Sequence, residues 1–240
     1  MLVSSGPVNQ GASSSSSTFE SHEGHGWATP LEGLPLLVVT PPEWAALAVS
    51  QLDFLLCDHA HCEQKAAGAA LGLMARFPEH AEMVRPMLAL AHEELHHFRQ
   101  VLDLIQQRGG QLTRPAPDFY VRELRQRLFR AGGGLGPYGD VLVVNAFVEA
   151  RSCERFRRLA EALTKMLTSG EVLDDDLRAS YAPLAHFYTT LAAAEGRHWE
   201  MFRDLAAHAC GAARTDKRVA QAAEIEAEIF RSRPLVPRMH

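Results

Sequence analysis

Four glutamates and two histidines recur along this chain in one order: Glu63, then Glu94-x-x-His97, then Glu149, then Glu195-x-x-His198. The stretches AHCEQKA (60–66) and AFVEARS (146–152) each supply a single glutamate, and each is followed by a helix-compatible segment that carries Glu-x-x-His. One helix pair therefore occurs twice. Steps of three and four residues place every one of these groups on the apolar stripe of its segment. The second stripe reads Met87, Leu90, Glu94, His97, Val101, Leu104. The third reads Asn145, Glu149, Ser152, Phe156, Leu159, Leu163, with Glu149 facing inward and Glu154 outward, and the fourth reads Leu184, Tyr188, Leu191, Glu195, His198, Phe202, Leu205. Four carboxylates and two imidazoles aimed at one interior must be paired, neutralised or bound to cations, because bare buried charge is costly.

Two metal ions satisfy all six groups. Glu-x-x-His puts a carboxylate oxygen and an imidazole nitrogen one turn apart on one face, within reach of one ion. One glutamate from each of the other two helices completes the donor set with which four-helix bundles hold a dinuclear centre. A site rich in oxygen with one nitrogen per metal suits iron or manganese better than zinc or copper.

A competing register overlaps the second segment. LAHEELHHFRQ (90–100) also reads His92-Glu93-x-x-His96, the spacing with which zinc hydrolases hold Zn²⁺ and place a general base. The fourth segment has no matching pair, since Ala194 precedes Glu195 and Trp199 follows His198. The extended metzincin form also fails, at Arg99 and Leu102, which leaves a zinc hydrolase with a distant third ligand as the minor alternative. His92, Glu93 and His96 are thus expected on the helix surface or behind the ligands. His59, one turn before Glu63, is placed to hydrogen-bond a ligand.

The rest of the chain is helical in pattern. Residues 1–30, with the run GASSSSSTFESHEGHG, are too polar to offset their own ordering entropy and are expected to form a disordered tail. Residues 31–210 are expected to form the bundle, beginning with an extended lead-in and Pro41-Pro42 at a helix start. Long helices are predicted up to Phe77-Pro78, from about Pro86 to Arg108, over about 138–168, and from the acidic stretch after Thr168 to about Cys210. A short arginine-rich helix, 118–130, lies between the second and third, and residues 211–240 read as an accessory helix and tail. The expected architecture is all-α, a four-helix bundle with accessory helices.

Composition excludes other classes. A formal charge of −5 does not suggest a general polyanion binder such as a DNA-binding protein, and no apolar run approaches the length needed to cross a membrane. Four cysteines without C-x-x-C spacing point to free thiols in a reducing cytoplasm. Lysine occurs only at positions 65, 165 and 217, so arginine carries nearly all the positive charge.

The donor set alone does not choose among iron storage, iron oxidation, radical chemistry and O₂ activation. The stretches CDHAHCEQKAAGAALGLMARFP, LAHEELHHFRQVLDLIQQRG and VEARSCERFRRLA, within about 35–210, resemble the tRNA-(methylthio-isopentenyl-adenosine) hydroxylases, which are ferritin-like non-haem di-iron monooxygenases. The resemblance implies two iron ions held by Glu63, Glu94, His97, Glu149, Glu195 and His198, with O₂ as co-substrate. It implies hydroxylation of the isopentenyl group on the modified adenosine beside the anticodon of tRNA. The chain has no flavin or NAD fingerprint, so an external reductase or ferredoxin is expected to deliver two electrons. Under this reading Arg122, Arg125, Arg127 and Arg130, and the stripe Arg151, Arg155, Arg158, are candidate contacts to tRNA phosphates; otherwise they are solvated faces pairing with neighbours such as Glu154 and Glu161. The rival reading is a ferritin-like protein that oxidises or stores iron, or another di-iron oxidase.

Overall fold

A computed structural model describes residues 33–169 and 175–240, apart from the side chain of residue 176. The expected serine-rich tail and most of the acidic stretch before the fourth long helix lie outside the described residues. Among the described residues there are seven helices and no strands: α1 Pro42–Ser50, α2 Leu52–Arg76, α3 Ala81–Gln107, α4 Phe119–Arg130, α5 Gly136–Thr168, α6 Asp175–Cys210 and α7 Ala212–Arg231.

Local chemistry sets most of these boundaries. Pro42 opens α1, where a missing N–H costs nothing, and α2 stops at Arg76 because Phe77 precedes Pro78 and is driven out of the helical region. The Asp118 carboxylate caps α4 by accepting the Val121 N–H at 3.1 Å. Between α6 and α7 stands Gly211 alone, at φ +89°, a conformation that a side chain would strain. The second long helix departs from expectation: α3 begins at Ala81 and runs through Pro86. The lost N–H sits in the second turn, close enough to the helix start for packing of Met83 and Met87, both fully buried, to outweigh it.

The bundle consists of two packed pairs, α2 with α3 and α5 with α6, and α3 meets α6 between the pairs. Two apolar clusters occupy its ends. One includes Leu73, Met87, Leu90, Phe147 and Phe202; the other includes Leu56, Val101, Phe156, Leu163 and Tyr188. The six repeated ionisable residues form a polar layer between them.

The outer side of α5 is a correction to the seam reading. Glu154 is fully buried: its carboxylate accepts from the Thr40 N–H at 2.9 Å, from the Thr40 hydroxyl, and from Arg151 Nη1 at 3.0 Å. Arg151 is fully buried too, donating to Glu226 Oε1 at 2.7 Å and to the Val38 carbonyl at 2.8 Å. Arg155 is buried beneath Trp44 and donates to the Arg238 carbonyl at 2.6 Å. The cause is a second covering layer. Residues 36–40, α1 and α7 lie on the side of α5 that a four-helix count leaves to solvent, so Arg151 and Arg155 do not form an outward stripe for phosphates. Arg158, partly buried, pairs with Glu154 and Glu161 at 3.4 Å each.

Candidate metal centre

Glu63 comes from α2, Glu94 and His97 from α3, Glu149 from α5, and Glu195 and His198 from α6. All six are buried, none more than 6% exposed. They converge into two groups, Glu63, Glu94, His97, Glu195 and Glu94, Glu149, Glu195, His198, and within each group one donor atom per residue lies within 4.8 Å of the others. Glu94 and Glu195 belong to both groups. The carboxylate of each Glu-x-x-His is thus shared, while Glu63 with His97 and Glu149 with His198 stand at opposite ends.

Both imidazoles present Nδ1 inward. His97 Nδ1 lies 3.2 Å from Glu94 and 3.6 Å from Glu63; His198 Nδ1 lies 3.0 Å from Glu94 Oε1 and 3.5 Å from Glu195 Oε2. The contact of His198 Nδ1 with Glu94 Oε1 is short but misaligned, and both atoms, with Glu195 Oε2, are buried without a hydrogen-bond partner. Orphaned donor atoms of this kind, converging from three side chains, are what a metal pair satisfies. The six residues therefore fit two cations.

Electrostatics agree with the geometry. Burial and then the neighbouring Glu94 push the Glu63 carboxyl well above the usual range, and burial and then Glu195 do the same to Glu149. Burial also opposes the charge on Glu94, but close contacts with Glu63, His198 and His97 outweigh it and hold that carboxyl below the usual range. Burial disfavours the His198 cation as well, yet contacts with Glu195, Glu93 and Glu94 outweigh it and raise its proton affinity. Without cations the cluster must hold protons; bound cations would take their place.

Supporting contacts are asymmetric. His59 Nε2 shares a hydrogen bond with Glu63 Oε1 at 2.6 Å, and its ring is wedged against Phe156 and Tyr188 with centroids 4.8 and 5.7 Å away. Burial, with the nearby His97, lowers the His59 pKa to about 3, which favours the neutral ring. One turn before Glu149 the chain has Asn145, whose amide donates instead to the Val141 carbonyl at 2.8 Å. Glu93 reaches His198 Nε2 at 3.1 Å and Arg197 at 3.0 Å, fixing the ring from behind. His92 and His96 are exposed, and Glu93 faces a histidine of another helix, so the structure brings no His92-Glu93-His96 zinc triad together.

Two cavities connect the cluster to the surface. A narrow void of about 20 Å³ touches Glu63, Glu94, Glu149 and Glu195 and is walled by Met239 and His240. A cavity of about 700 Å³ meets it at Cys62, Ala66, Val148, Glu149 and His240, and its outer rim carries Lys65, Arg122, Arg125 and Arg130. Arg127 turns away, paired with Glu123 and Glu228. His240 was not foreseen as part of this site: it lies 3.1 Å from Ser152 Oγ and stacks on Tyr120, held by long-range packing with no local signal in the sequence.

An all-helical bundle with two Glu-x-x-His helices and two shared carboxylates is the architecture of ferritin-like dinuclear metalloproteins. A solved structure titled Protein 43 with aldehyde deformylating oxygenase activity, from Synechococcus, superposes with a TM-score of 0.70 at 31% identity, covering 85% of this chain and 94% of that one. Within that class the match is to one family: the family model for tRNA-(MS[2]IO[6]A)-hydroxylase (MiaE) matches residues 34–240, and the chain belongs to this family. Two relatives carry the name tRNA 2-(methylsulfanyl)-N(6)-isopentenyladenosine(37) hydroxylase. The one from Pseudomonas putida is 39% identical over 167 residues, 70% of this chain and 72% of its own length. The one from Salmonella typhimurium is 27% identical over an alignment of 242, covering 80% and 82%.

Proposed function

We propose that this protein hydroxylates the isopentenyl group of the (methylthio)isopentenyl-adenosine beside the anticodon of tRNA, using O₂ and two electrons from an external reductase or ferredoxin. The observation that carries this reading is the continuity between the two-group carboxylate cluster and an apolar-walled cavity with a cationic rim. Family membership supplies the substrate class.

The six cluster residues would hold two iron ions, which supply the activation of O₂. The reaction balances as R–H, O₂, two electrons and two protons giving R–OH and water. The chain's own residues supply position. Ala66, Ala69, Val121 and Val148 line the cavity with small apolar surface that suits a prenyl group, and Glu149 lies at its floor. The cavity opens on the Glu149 end of the cluster, so a prenyl chain inserted from the rim approaches the Glu149 and His198 side, while His59 and its aromatic wedge close the Glu63 side. Lys65, Arg122, Arg125 and Arg130 at the rim are placed for the sugar-phosphate strand that carries the base. These components, tRNA among them, meet in the cytoplasm; among the described residues no helix is long and apolar enough to cross a membrane.

Nucleoside analysis of total tRNA from a deletion strain tests the proposal. The hydroxylated nucleoside should vanish and its isopentenyl precursor accumulate, and a plasmid copy should restore it while a Glu149→Ala copy should not. Normal hydroxylated nucleoside in the deletion strain would refute the assignment.

A further inference from the structure

A second cavity, of about 820 Å³, lies on the other side of the α4 start, between α1, the end of α7 and residues 234–240. Its size suits a nucleotide-sized ligand. Four of its lining residues are arginines, Arg155, Arg231, Arg233 and Arg238, against one carboxylate, Glu43. Two of the four are already engaged, Arg233 with Glu123 at 2.7 Å and Arg238 with Asp58 at 2.9 Å. Arg155 has no such carboxylate among the described residues: it is 7% exposed, its Nη1 donates to a neutral acceptor, the Arg238 carbonyl, at 2.6 Å, and its Nε is buried without a partner. A buried guanidinium without an anion is costly unless something else supplies one. Burial, and then Arg151, lower its pKa to about 10, consistent with a cation short of counter-charge. Arg231, exposed at the end of α7 and without a carboxylate partner among the described residues, brings a further cation to the same cavity.

An aromatic platform stands at the mouth. Phe119 is 42% exposed, and guanidinium groups flank it: Arg122 at 4.7 Å and Arg233 at 5.9 Å from the ring centroid. Arg122 lines the cavity that leads to the metal cluster and Arg233 lines this one, so Phe119 sits on the ridge between two openings. His240 is common to both walls. Exposed aromatics bracketed by arginine are the stacking surfaces on which single-stranded bases are splayed.

We propose that this second cavity binds the nucleotide adjoining the target adenosine in the RNA strand, with its base stacked on Phe119 and its phosphate against Arg155 and Arg231. The inference rests on the tRNA reading above and extends it: the enzyme would hold two neighbouring nucleotides apart, one on each side of the α4 start. Substrate in the strand would then be favoured over the free nucleoside because only the strand fills both cavities.

The test is fluorescence anisotropy with a labelled anticodon stem-loop and metal-free protein, which reads binding independently of turnover. The probes are the intact stem-loop and versions with an abasic nucleotide on either side of the target adenosine. Phe119→Ala and Arg231→Gln change exposed residues and spare the fold. Phe119→Ala should weaken binding of the intact stem-loop about tenfold. One abasic probe should bind wild type about tenfold more weakly than the intact loop, yet bind Phe119→Ala no worse than the intact loop does. Arg231→Gln should make the slope of log K against log salt shallower by about 0.7, one single-strand phosphate contact. Unchanged affinity and slope in both variants, or equal affinity of wild type for all three RNAs, would overturn the proposal. Failure of the hydroxylase reading would show separately, as wild-type protein loaded with iron that hydroxylates neither the stem-loop nor the free nucleoside.

Discussion

Glu149 is held where a carboxylate is least comfortable without a cation: buried, beside Glu195, with its proton affinity raised. A raised carboxyl contributes stability that is present below the unfolded value of about 4.3 and lost as pH climbs through the folded value. Metal-free protein should therefore lose stability as pH rises above about 4.3 from this group and from Glu63, which shares the shift. Glu149→Gln removes the charge while keeping the shape. It should raise the melting temperature of the metal-free protein at neutral pH, by about 2–4 °C per kcal/mol recovered, with the gain shrinking toward pH 4. In iron-loaded protein the sign should reverse, since a terminal ligand is gone; thermal scans of both forms across pH check the crossing. Glu93 makes a different case. It fixes His198 from behind, so Glu93→Gln should lower iron affinity by about 10–100-fold, measurable by chelator competition, and should also lower the metal-free melting temperature because the protonated His198 loses a counter-charge. The roles of His59 and Glu93 differ in legibility. His59 stands four residues from Glu63 on one helix, where spacing reveals the contact, whereas Glu93 reaches across to another helix, and only the packing of α3 on α6 brings them together.

Helix α5 shows where periodicity stops being informative. Its inward stripe, Glu149, Ser152, Phe156, Leu159 and Leu163, was legible because apolar and ionisable residues share a three-and-four spacing. Its outer side carries Arg151, Glu154, Arg155 and Arg158, a sequence that looks like a solvated face. Burial there depends on α7 and residues 36–40 docking from distant parts of the chain, and long-range docking leaves no local trace. The same is true of Arg218 on α7, buried against Asp140 at 2.8 Å and the Leu128 carbonyl at 2.6 Å. Helix α7 is thus clamped to the bundle at both ends by buried arginines, one of its own and one from α5. Arg151→Ala should cost about 3–5 kcal/mol in denaturant unfolding, because it leaves Glu154 and Glu226 buried with fewer partners. Arg158→Ala, at a partly buried pair on the same helix, should cost about 1 kcal/mol or less. Equal effects would mean that α5 is not enclosed on its outer side.

At the scale of the whole molecule, one side of the polar layer is walled by residues distant in sequence from every helix that supplies a ligand. Residues 234–240 run back from α7 across the start of α4, and four of the hydrogen bonds that pin them are Trp44 Nε1 to the Val236 carbonyl at 2.9 Å, Arg238 to Asp58 at 2.9 Å, the Met239 N–H to Asp58 at 2.8 Å, and Arg155 to the Arg238 carbonyl at 2.6 Å. These anchors carry Met239, fully buried, and His240 to the wall of the void beside Glu63 and Glu149. The segment forms one wall between the carboxylate layer and the larger cavity, and the water it excludes on that side strengthens the charge interactions within the layer. Deleting residues 234–240 should accordingly release iron to a chelator faster than in the full chain, and should lower the melting temperature because Asp58 and Arg155 lose their partners. His240→Ala keeps all four anchors and removes only the ring, so it should speed iron release by a smaller factor with almost no change in melting temperature. If the truncated protein gave up iron no faster than the full chain, the seal would have to lie elsewhere, in the packing of α2 on α3 and α5 on α6 alone.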